Sequence, residues 1–140
     1  MYSFVGSLLL AVNPYKLIPG LYGEPAMRRF EGKHLLLQAP HVYALSEEAC
    51  RKAWRIGMHQ SLIISGESGA GKTETTKLAL GYIVWRSRRH AAGSMAASIM
   101  QANPLLEALG NAKTARNSNS SRFGKCVRLG TTSSGPPRPS

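Results

Sequence analysis

The residues with the clearest chemistry lie in the glycine-rich sequence GESGAGKT, residues 66–73. Gly66, Gly71, Lys72 and Thr73 match the pattern G-x-x-x-x-G-K-[ST] of a phosphate-binding loop. In such a loop the glycines let the backbone wrap a phosphate chain with its N–H groups pointing inward. The lysine would reach the β and γ phosphates, and the threonine hydroxyl would bind Mg²⁺. Taken alone, the same pattern also fits an ordinary Gly-Ser turn.

The segments on either side of the loop favour phosphate binding over a simple turn. QSLIISG, residues 60–66, is a short apolar run typical of a buried parallel strand. KTETTKLALGYIVW, residues 72–85, carries apolar residues at helical spacing. Because the loop lies between a strand and a helix, the helix would present its positive N-terminal end to the bound anion. We therefore interpret residues 66–73 as a true phosphate loop.

Other elements follow from turn residues and capping signals. Ser46 followed by Glu47 and Glu48 predicts the start of a helix, since a serine caps the first turn and glutamates favour the positive helix end. The remaining predictions are a strand and then a loop in residues 3–15, a helix in 24–32, an exposed connection in 86–94, a helix in 95–110 bent at Asn103-Pro104, and the start of a strand in 122–129.

The composition limits the class of protein without identifying it. The 18 Lys and Arg residues outnumber 7 Asp and Glu residues, giving a formal net charge of +11. Such a balance suggests a polyanionic partner, but the positive residues are scattered and no basic stripe alternates with aromatic residues. The two cysteines and four histidines form no metal-ligand pattern, which suggests a reduced intracellular chain. No apolar run approaches the roughly 18 residues that a membrane span requires.

The acidic residues raise a question about the phosphate loop. All 7 of them are glutamate, so the chain contains no aspartate. Phosphate-loop enzymes normally hold their magnesium and sense hydrolysis through an acidic residue at the end of a second strand. The loop alone therefore predicts phosphate binding but leaves the class of enzyme open.

Several motifs, taken together, resemble the myosin motor head. GESGAGKT is preceded by NPYK, residues 13–16, and followed by QANPLLEALGNAKTARNSNSSRFGK, residues 101–125. The resemblance runs in order from about Tyr2 to Arg128. Kinases, helicases and small GTPases share only the phosphate loop, whereas a myosin-type head also has N-x-N-S-S-R-F-G-K, present here as NSNSSRFGK at 117–125. Leu109 and Cys126 depart from the family pattern, in which larger apolar residues are usual.

The resemblance implies a fold and a domain organisation. It implies an α/β fold, the incomplete P-loop NTPase core of a myosin-type motor head, in which parallel or mixed sheet strands are flanked by helices. Residues 1–128 would form a partial motor domain that contains the adenine loop, the phosphate loop and the first switch loop. Residues 129–140, rich in Gly, Ser and Pro, would form a disordered or aberrant tail.

By the same resemblance, NSNSSRFGK is the first switch loop, the segment that closes over the γ-phosphate. Ser121 matches the residue whose hydroxyl completes the Mg²⁺ shell with Thr73. Ser120 matches a residue that helps to hold the attacking water, and Asn117 matches a polar contact to the phosphates. Small hydroxyl and amide groups suit phosphoryl transfer, which depends mostly on positioning and charge stabilisation. A serine- and asparagine-rich run standing alone would instead fit a disordered linker.

The resemblance also implies an adenine loop, in which a tyrosine ring packs against the base. The spacing from Asn13 to Tyr22 is one residue longer than usual, which weakens the assignment of Tyr22. The catalytic residues implied are Lys72, Ser120 and Arg122, and the metal ligands are Thr73 and Ser121. The nucleotide contacts implied are Asn13, Pro14, Tyr15, Lys16, Tyr22, Gly66, Glu67, Ser68, Gly69, Ala70, Gly71, Lys72, Thr73 and Asn117.

The expected partner of Arg122 is relevant to whether the chain can act as a motor. In the family this arginine pairs with a glutamate of a second switch loop, an Asp-x-x-Gly-x-Glu segment that this sequence lacks. The resemblance therefore predicts an ATP- and Mg²⁺-binding portion of an actin-based cytoskeletal motor in the cytoplasm, not competent as a motor by itself and without the actin-binding surface. One alternative is a basic phosphate-loop protein associated with nucleic acid, although no nucleic acid is expected as a partner. The other alternative is a non-enzymatic remnant.

Overall fold

The computed structural model describes residues 1–88, 105, 107–115 and 117–130. Two small antiparallel sheets and three helices form these parts of the chain. In chain order the elements are β1 (Tyr2–Val5), β2 (Leu8–Ala11), α1 (Glu24–Phe30), a 3₁₀ turn (Leu35–Leu37), α2 (Val42–Ile56), α3 (Lys72–Arg88), β3 (Asn111–Ala112) and β4 (Ser120–Ser121). The predicted helices in 24–32 and 72–85 are thus confirmed.

The N-terminal segment is a hairpin, where the sequence predicted one strand. β1 pairs antiparallel with β2, from Tyr2 opposite Ala11 to Val5 opposite Leu8. Gly6 turns the chain with a φ of 59°, a conformation that glycine adopts without the steric cost of a Cβ atom. Because the residues on both sides of this glycine are mostly apolar, hydrophobicity alone did not indicate the turn.

The core lies where α1 and α3 pack on α2. Buried aromatic and small residues from the three helices touch one another, with the ring of Tyr43 stacked on that of Tyr82 at 5.2 Å between centroids. Both tyrosines are less than 2% exposed. The buried apolar cluster, named here the helical core, consists of Ala26, Phe30, Val42, Tyr43, Ala44, Ala79 and Tyr82.

A buried carboxylate links the three helices. Glu47 on α2 is 1% exposed and accepts hydrogen bonds from the Tyr82 hydroxyl at 2.9 Å and from Nε of Arg86 at 3.0 Å, both on α3. Its other oxygen accepts a 2.9 Å hydrogen bond from the backbone N–H of Gly32, just after α1. Because each of its oxygens has a partner, this charge is compensated inside the protein.

The start of α2 differs from the sequence-based prediction. The helix begins at Val42 and not after Ser46, and His41 caps it by accepting a 3.1 Å hydrogen bond at Nδ1 from the Tyr43 N–H. Ser46 lies one turn inside, where its hydroxyl donates to the Val42 carbonyl. The prediction was wrong because a buried histidine performs the capping that serine usually performs.

The strand predicted in residues 60–66 does not form. Residues 57–66 are irregular, and the apolar side chain of Ile63 is 89% exposed. A parallel strand is stable only when neighbouring strands complete its hydrogen bonds, and no strand of the described residues pairs with this segment. The predicted parallel sheet is therefore absent from the described residues, whose two sheets are antiparallel.

The C-terminal part of the description contains a short helical segment and a second hairpin. Residues 107–110 are helical, and β3 pairs antiparallel with β4. Residues 122–129 form no strand, because no partner strand lies beside them in the described residues. The predicted bend at Asn103-Pro104, most of the connection in 86–94 and most of the predicted tail lie outside the described residues. Among the described helices, none is long and apolar enough to cross a membrane.

Candidate phosphate-binding site

A cavity of about 530 Å³ lies at the N-terminal end of α3. Three segments that are distant in sequence meet around it: the chain after β2, the glycine loop with the first turns of α3, and the loop that leads into β4. Glu107 from the short helical segment completes the wall. The lining residues are Asn13, Tyr15, Ser68, Gly69, Gly71, Lys72, Thr73, Glu74, Lys77, Glu107, Asn117, Ser118, Asn119, Ser120, Ser121 and Arg122.

Two residues of the glycine loop have backbone conformations that favour glycine. Gly69 and Gly71 have φ values of 83° and 94°, which residues with a Cβ atom rarely adopt. The Ala70 N–H donates to the Glu67 carbonyl at 3.2 Å and closes a turn within the loop. The glycines are therefore required by the backbone path and not only by the motif.

Lys72 lines the cavity, but its ammonium group is engaged by the loop itself. Nζ donates to the carbonyls of Gly66 at 2.6 Å and of Glu67 at 2.8 Å. The side chain thus lies across the loop and holds its two ends together. An anion in the cavity would compete with these carbonyls for the ammonium group.

The start of α3 supplies backbone donors. The Thr75 N–H bonds to the Gly71 carbonyl at 2.9 Å, as the first hydrogen bond of the helix. The N–H groups of the preceding helical residues have no carbonyl one turn earlier with which to pair, and they point toward the helix N-terminus. Together with the helix dipole, these groups make this end of the cavity attractive to an anion.

Asn13 fastens the chain after β2 to the glycine loop. Its Nδ2 donates to the Gly69 carbonyl at 3.1 Å, and its Oδ1 accepts from the Tyr15 N–H at 3.0 Å. Tyr15 follows with a φ of 52°, and its side chain is 83% exposed at the rim of the cavity. One asparagine thus fixes both the loop and the position of an exposed aromatic ring.

The segment leading into β4 is ordered by its own side chains. Asn117 and Thr114 bond to each other through their backbone groups, at 2.8 and 3.3 Å. Oδ1 of Asn117 accepts from the Asn119 N–H at 3.0 Å, which is a local asparagine turn. The Ser/Asn run is therefore structured in residues 117–121, where the linker alternative expected disorder.

A hydroxyl pair joins this segment to the glycine loop. The Oγ atoms of Ser68 and Ser120 lie 3.1 Å apart and share a hydrogen bond. Ser120 is 4% exposed, whereas Ser68 is exposed, so the contact is partly buried. The pair bridges 52 residues of sequence and is the direct polar link between the two loops.

Two further hydroxyls fit a divalent cation accompanied by a phosphate. Thr73 and Ser121 both line the cavity, and within the described residues no hydrogen bond engages either hydroxyl. Hydroxyl oxygens are hard ligands of the kind that Mg²⁺ accepts, and this ion commonly takes the rest of its shell from phosphates and water. The described residues contain no group of three or more His, Cys, Asp or Glu side chains that could hold a metal.

Three charged residues of the wall were not anticipated from the sequence. Lys77 Nζ lies 2.9 Å from Glu74 and 3.4 Å from Glu107, and the hydrogen bond to Glu74 helps to raise the pKa of Lys77. Thr73 and Lys77 are four residues apart and so share a face of α3, a signal that the spacing contained. Ser118 and Asn119 were also missed.

Some predicted contact residues do not line the cavity. They are Pro14, Lys16, Tyr22, Gly66, Glu67 and Ala70. Most of these adjoin lining residues, but Tyr22 does not. Its hydroxyl bonds to that of Tyr2 at 2.9 Å, and its ring packs near His41 and Tyr43 beside the helical core. We therefore leave Tyr22 out of the site.

Arg122 lines the cavity without an acidic partner. Its backbone N–H donates to the Gly110 carbonyl at 3.4 Å, which positions the residue after β4. Within the described residues its guanidinium forms no ion pair, and the side chain is exposed. An unpaired arginine at the mouth of a cavity adds to the positive potential that an anion would meet.

Comparisons with known proteins show the family of the chain. The family described as the myosin head (motor domain) matches residues 1–138, and so extends into the segment that the sequence suggested was a tail. The chain is 46% identical over 131 residues to Myosin-6 of Arabidopsis thaliana, covering 92% of this chain and 9% of that protein. It is 48% identical over 130 residues to Unconventional myosin-VI of Homo sapiens, covering 92% and 10%. The chain therefore spans about a tenth of the length of these relatives.

Proposed function

The chain belongs to the myosin motor domain family, and from this premise we propose that its cavity binds ATP together with Mg²⁺. In this proposal the chain supplies the nucleotide-binding portion of an actin-based cytoskeletal motor. The P-loop NTPase core is part of the same proposal, because the described residues contain the loop and its helix but not the sheet.

One observation supports the proposal more than any other. Residues from the three segments implied by the resemblance, which are separated by up to about a hundred positions in the sequence, line a single cavity. The phosphate loop could have satisfied its pattern without the other two segments beside it. Instead, Asn13 donates to the loop at Gly69, and Ser120 meets the loop at Ser68.

The roles of the residues follow from their positions. The backbone N–H groups at the start of α3 would bind the β and γ phosphates, and Lys72 would turn from the loop carbonyls to the same oxygens. The Tyr15 ring at the rim is placed to pack against the base. Ser120, already hydrogen-bonded to Ser68, would orient a water molecule near the terminal phosphate.

Magnesium would be held by the hydroxyls of Thr73 and Ser121, which both line the cavity. When bound, the ion would neutralise the negative charge that develops on the phosphate oxygens. The chain contains no aspartate, and among the described residues Arg122 has no acidic partner. We therefore expect this 140-residue chain to bind nucleotide without turnover that is accelerated by actin filaments.

The alternative of a phosphate-loop protein associated with nucleic acid finds no support in the comparisons. The structure favours the nucleotide, because the cations at the cavity stand beside hydroxyls, amides and a helix N-terminus, which suit a phosphate chain. A non-enzymatic remnant is excluded only if the cavity binds nucleotide specifically.

A titration with a fluorescent ATP analogue in the presence of Mg²⁺ tests the proposal. Lys72→Ala removes a charge-assisted contact worth about 1.5–3 kcal/mol, so we expect affinity to fall by about tenfold or more. Lys52→Ala is the matched control, since it removes the same charge from an exposed position on α2.

The charge of the chain makes the control necessary. A +11 chain attracts any anion, and this attraction weakens with salt. Equal losses for Lys72→Ala and Lys52→Ala would mean that binding is nonspecific, and the proposal would be wrong. Hydrolysis accelerated by actin filaments would contradict the expectation that the chain has no actin-accelerated turnover. It would still support the proposal that the chain binds ATP.

A further inference from the structure

A second cavity, of about 330 Å³, lies between the C-terminal end of α1 and the segment that leads into α2. Its apolar walls are Leu21, Phe30, Leu37 and Pro40, and the cations Arg29 and Lys33 stand on its lining. We call these residues, with Gln38 and His41, the α1 groove. It shares no residue with the candidate phosphate-binding site.

Within the part of the chain that the structure describes, no carboxylate neutralises the two cations of the α1 groove. Arg29 donates to the Gly20 carbonyl at 2.9 Å, which positions its guanidinium without compensating its charge. Lys33 forms no ion pair within the described residues, although all 7 glutamates are described. By contrast, Glu31 is engaged by Arg86 at 3.4 Å. The groove therefore presents a net positive charge to whatever lies in it.

The floor of the groove contains a polar atom that lacks a hydrogen-bond partner in the described residues. Oε1 of Gln38 is buried and accepts no hydrogen bond, while the Nε2 of the same amide donates to the Lys33 carbonyl at 2.8 Å. Nε2 of His41 is also buried, but the backbone carbonyl of Leu21 is its hydrogen-bond partner. Since Nδ1 accepts from the Tyr43 N–H, the proton of neutral His41 is on Nε2, which makes this atom a donor.

One acceptor without a partner in the described residues, Oε1 of Gln38, is thus present in a concave apolar site. Buried polar groups of this kind are usually satisfied by a partner, because leaving one unpaired costs about 1–3 kcal/mol. A peptide backbone offers the complementary group, an N–H donor for the Gln38 oxygen.

The rim of the groove is strongly apolar. Leu36 and Leu37, in the 3₁₀ turn, are 85% and 82% exposed. Exposed leucines that adjoin a cavity are typical of a surface that contacts another molecule. The cavity, of about 330 Å³, lies at the small end of the range of ligand pockets and has room for one large apolar side chain.

We propose that the α1 groove is a docking site for an acidic peptide segment of a partner protein, in which one apolar side chain is flanked by carboxylates. The apolar side chain enters the cavity, the carboxylates pair with Arg29 and Lys33, and a backbone N–H donates to Oε1 of Gln38. An anionic membrane surface would pair with the cations and contact the leucines. It would not fill a concave site or donate a hydrogen bond to Oε1 of Gln38. The polar floor therefore favours the peptide.

Fluorescence anisotropy with two labelled pentapeptides tests this docking site. One peptide has phenylalanine between two pairs of glutamates, and the other has serine in its place, so that the charges are equal. We expect the phenylalanine peptide to bind about fivefold or more tightly than the serine peptide. Lys33→Glu should abolish this preference, whereas Lys52→Glu, the same charge change on the exposed face of α2, should keep it.

Leu37→Ser provides a second variant that leaves the charge unchanged, and it should also reduce the preference. Because Lys33 and Leu37 are both exposed, neither change disturbs the helical core. Equal affinities for the two peptides, or equal losses in Lys33→Glu and Lys52→Glu, would overturn the proposal in favour of general electrostatic attraction. Lys33-dependent binding to phosphatidylserine vesicles that the phenylalanine peptide does not compete with would overturn it in favour of a membrane surface.

Discussion

The helical core and the segment before the phosphate loop differ in how well the described residues bury their side chains and pair their polar groups. In the helical core, Tyr43 and Tyr82 are buried, and the carboxylate of Glu47 has a partner for each oxygen. In the segment 57–66, Ile63 is 89% exposed and no strand pairs with the backbone. The candidate phosphate-binding site combines both kinds of region, because α3 belongs to the helical core and the glycine loop follows the exposed segment.

This difference shows which parts of a nucleotide site are determined by residues close together in the sequence. The loop conformation comes from glycines at fixed positions, the helix N-terminus comes from α3, and in the described residues neither has a parallel strand beside it. The strand that precedes the loop is not local, since its hydrogen bonds belong to neighbouring strands. We therefore expect changes in the helical core to alter the stability of the fold, and changes around the loop to alter mainly binding.

The largest expected effect comes from removing the buried carboxylate. Glu47→Ala leaves the Arg86 guanidinium without its 3.0 Å partner and the Tyr82 hydroxyl without its acceptor. Breaking a buried ion pair on one side costs about 3–5 kcal/mol, so the free energy of unfolding measured with urea should fall by that amount. Glu24→Ala, which removes an exposed ion pair with Arg28, should cost less than about 1 kcal/mol. Similar losses in the two variants would show that the helical core does not depend on Glu47.

Acid should destabilise the helical core through His41. Burial lowers the pKa of His41 from 6.5 to about 4, so between these values the unfolded chain binds a proton that the folded chain does not. The free energy of unfolding therefore falls as the pH drops from 6.5 toward 4, by on the order of 3 kcal/mol, and is unaffected by this group above pH 6.5. His41→Asn keeps a capping side chain without the titration, and urea unfolding at pH 7 and pH 4.5 should show a smaller difference for it. An undiminished pH dependence would assign the effect to other groups.

A smaller effect is expected at the contact between the two loops of the site. Ser68→Ala removes the 3.1 Å hydroxyl contact with Ser120, which is worth about 1 kcal/mol. We expect the affinity for the fluorescent ATP analogue to fall by about fivefold, with the urea midpoint nearly unchanged. Ser65→Ala, on the exposed segment before the loop, should change neither. If the two variants behave alike, the hydroxyl pair does not organise the site.

The smallest effect is expected where the sequence alone would predict a large one. Ile63→Ser should change the free energy of unfolding by no more than about 0.5 kcal/mol, because the side chain is already exposed. In a buried strand the same change would remove several kcal/mol of packing. A loss of that size in urea unfolding would show that residues 60–66 are buried in solution.

The same contrast explains what could be predicted from the sequence. The phosphate-loop motif and α3 were predictable because glycine positions and helical spacing act within a few residues. The Ser/Asn segment was assigned through its resemblance to a family pattern. The pairing of Glu47 with Arg86 spans 39 residues and left no local signal. The cap at His41 was missed because histidine seldom performs this function.

The candidate site was predictable in its residues but not in its geometry. Sequence motifs supplied Asn13, Ser120 and Ser121, but only the structure shows which of these contact the glycine loop. Tyr22 was assigned to the base because its spacing was close to the family pattern, yet its ring packs beside the core. Lys77 and Glu107 were missed because a charged pair between two helical segments follows no motif.

Hydrogen exchange with and without Mg²⁺ and ATP tests the central claim most directly, since the claim is that three segments form one site. We predict slower exchange at the same time in residues 13–15, 66–75 and 117–121, with no change in the α1 groove. Lys72→Ala should lose all of this protection together, and Lys52→Ala should keep it. Protection confined to the glycine loop, or spread over basic residues far from the cavity, would contradict the claim.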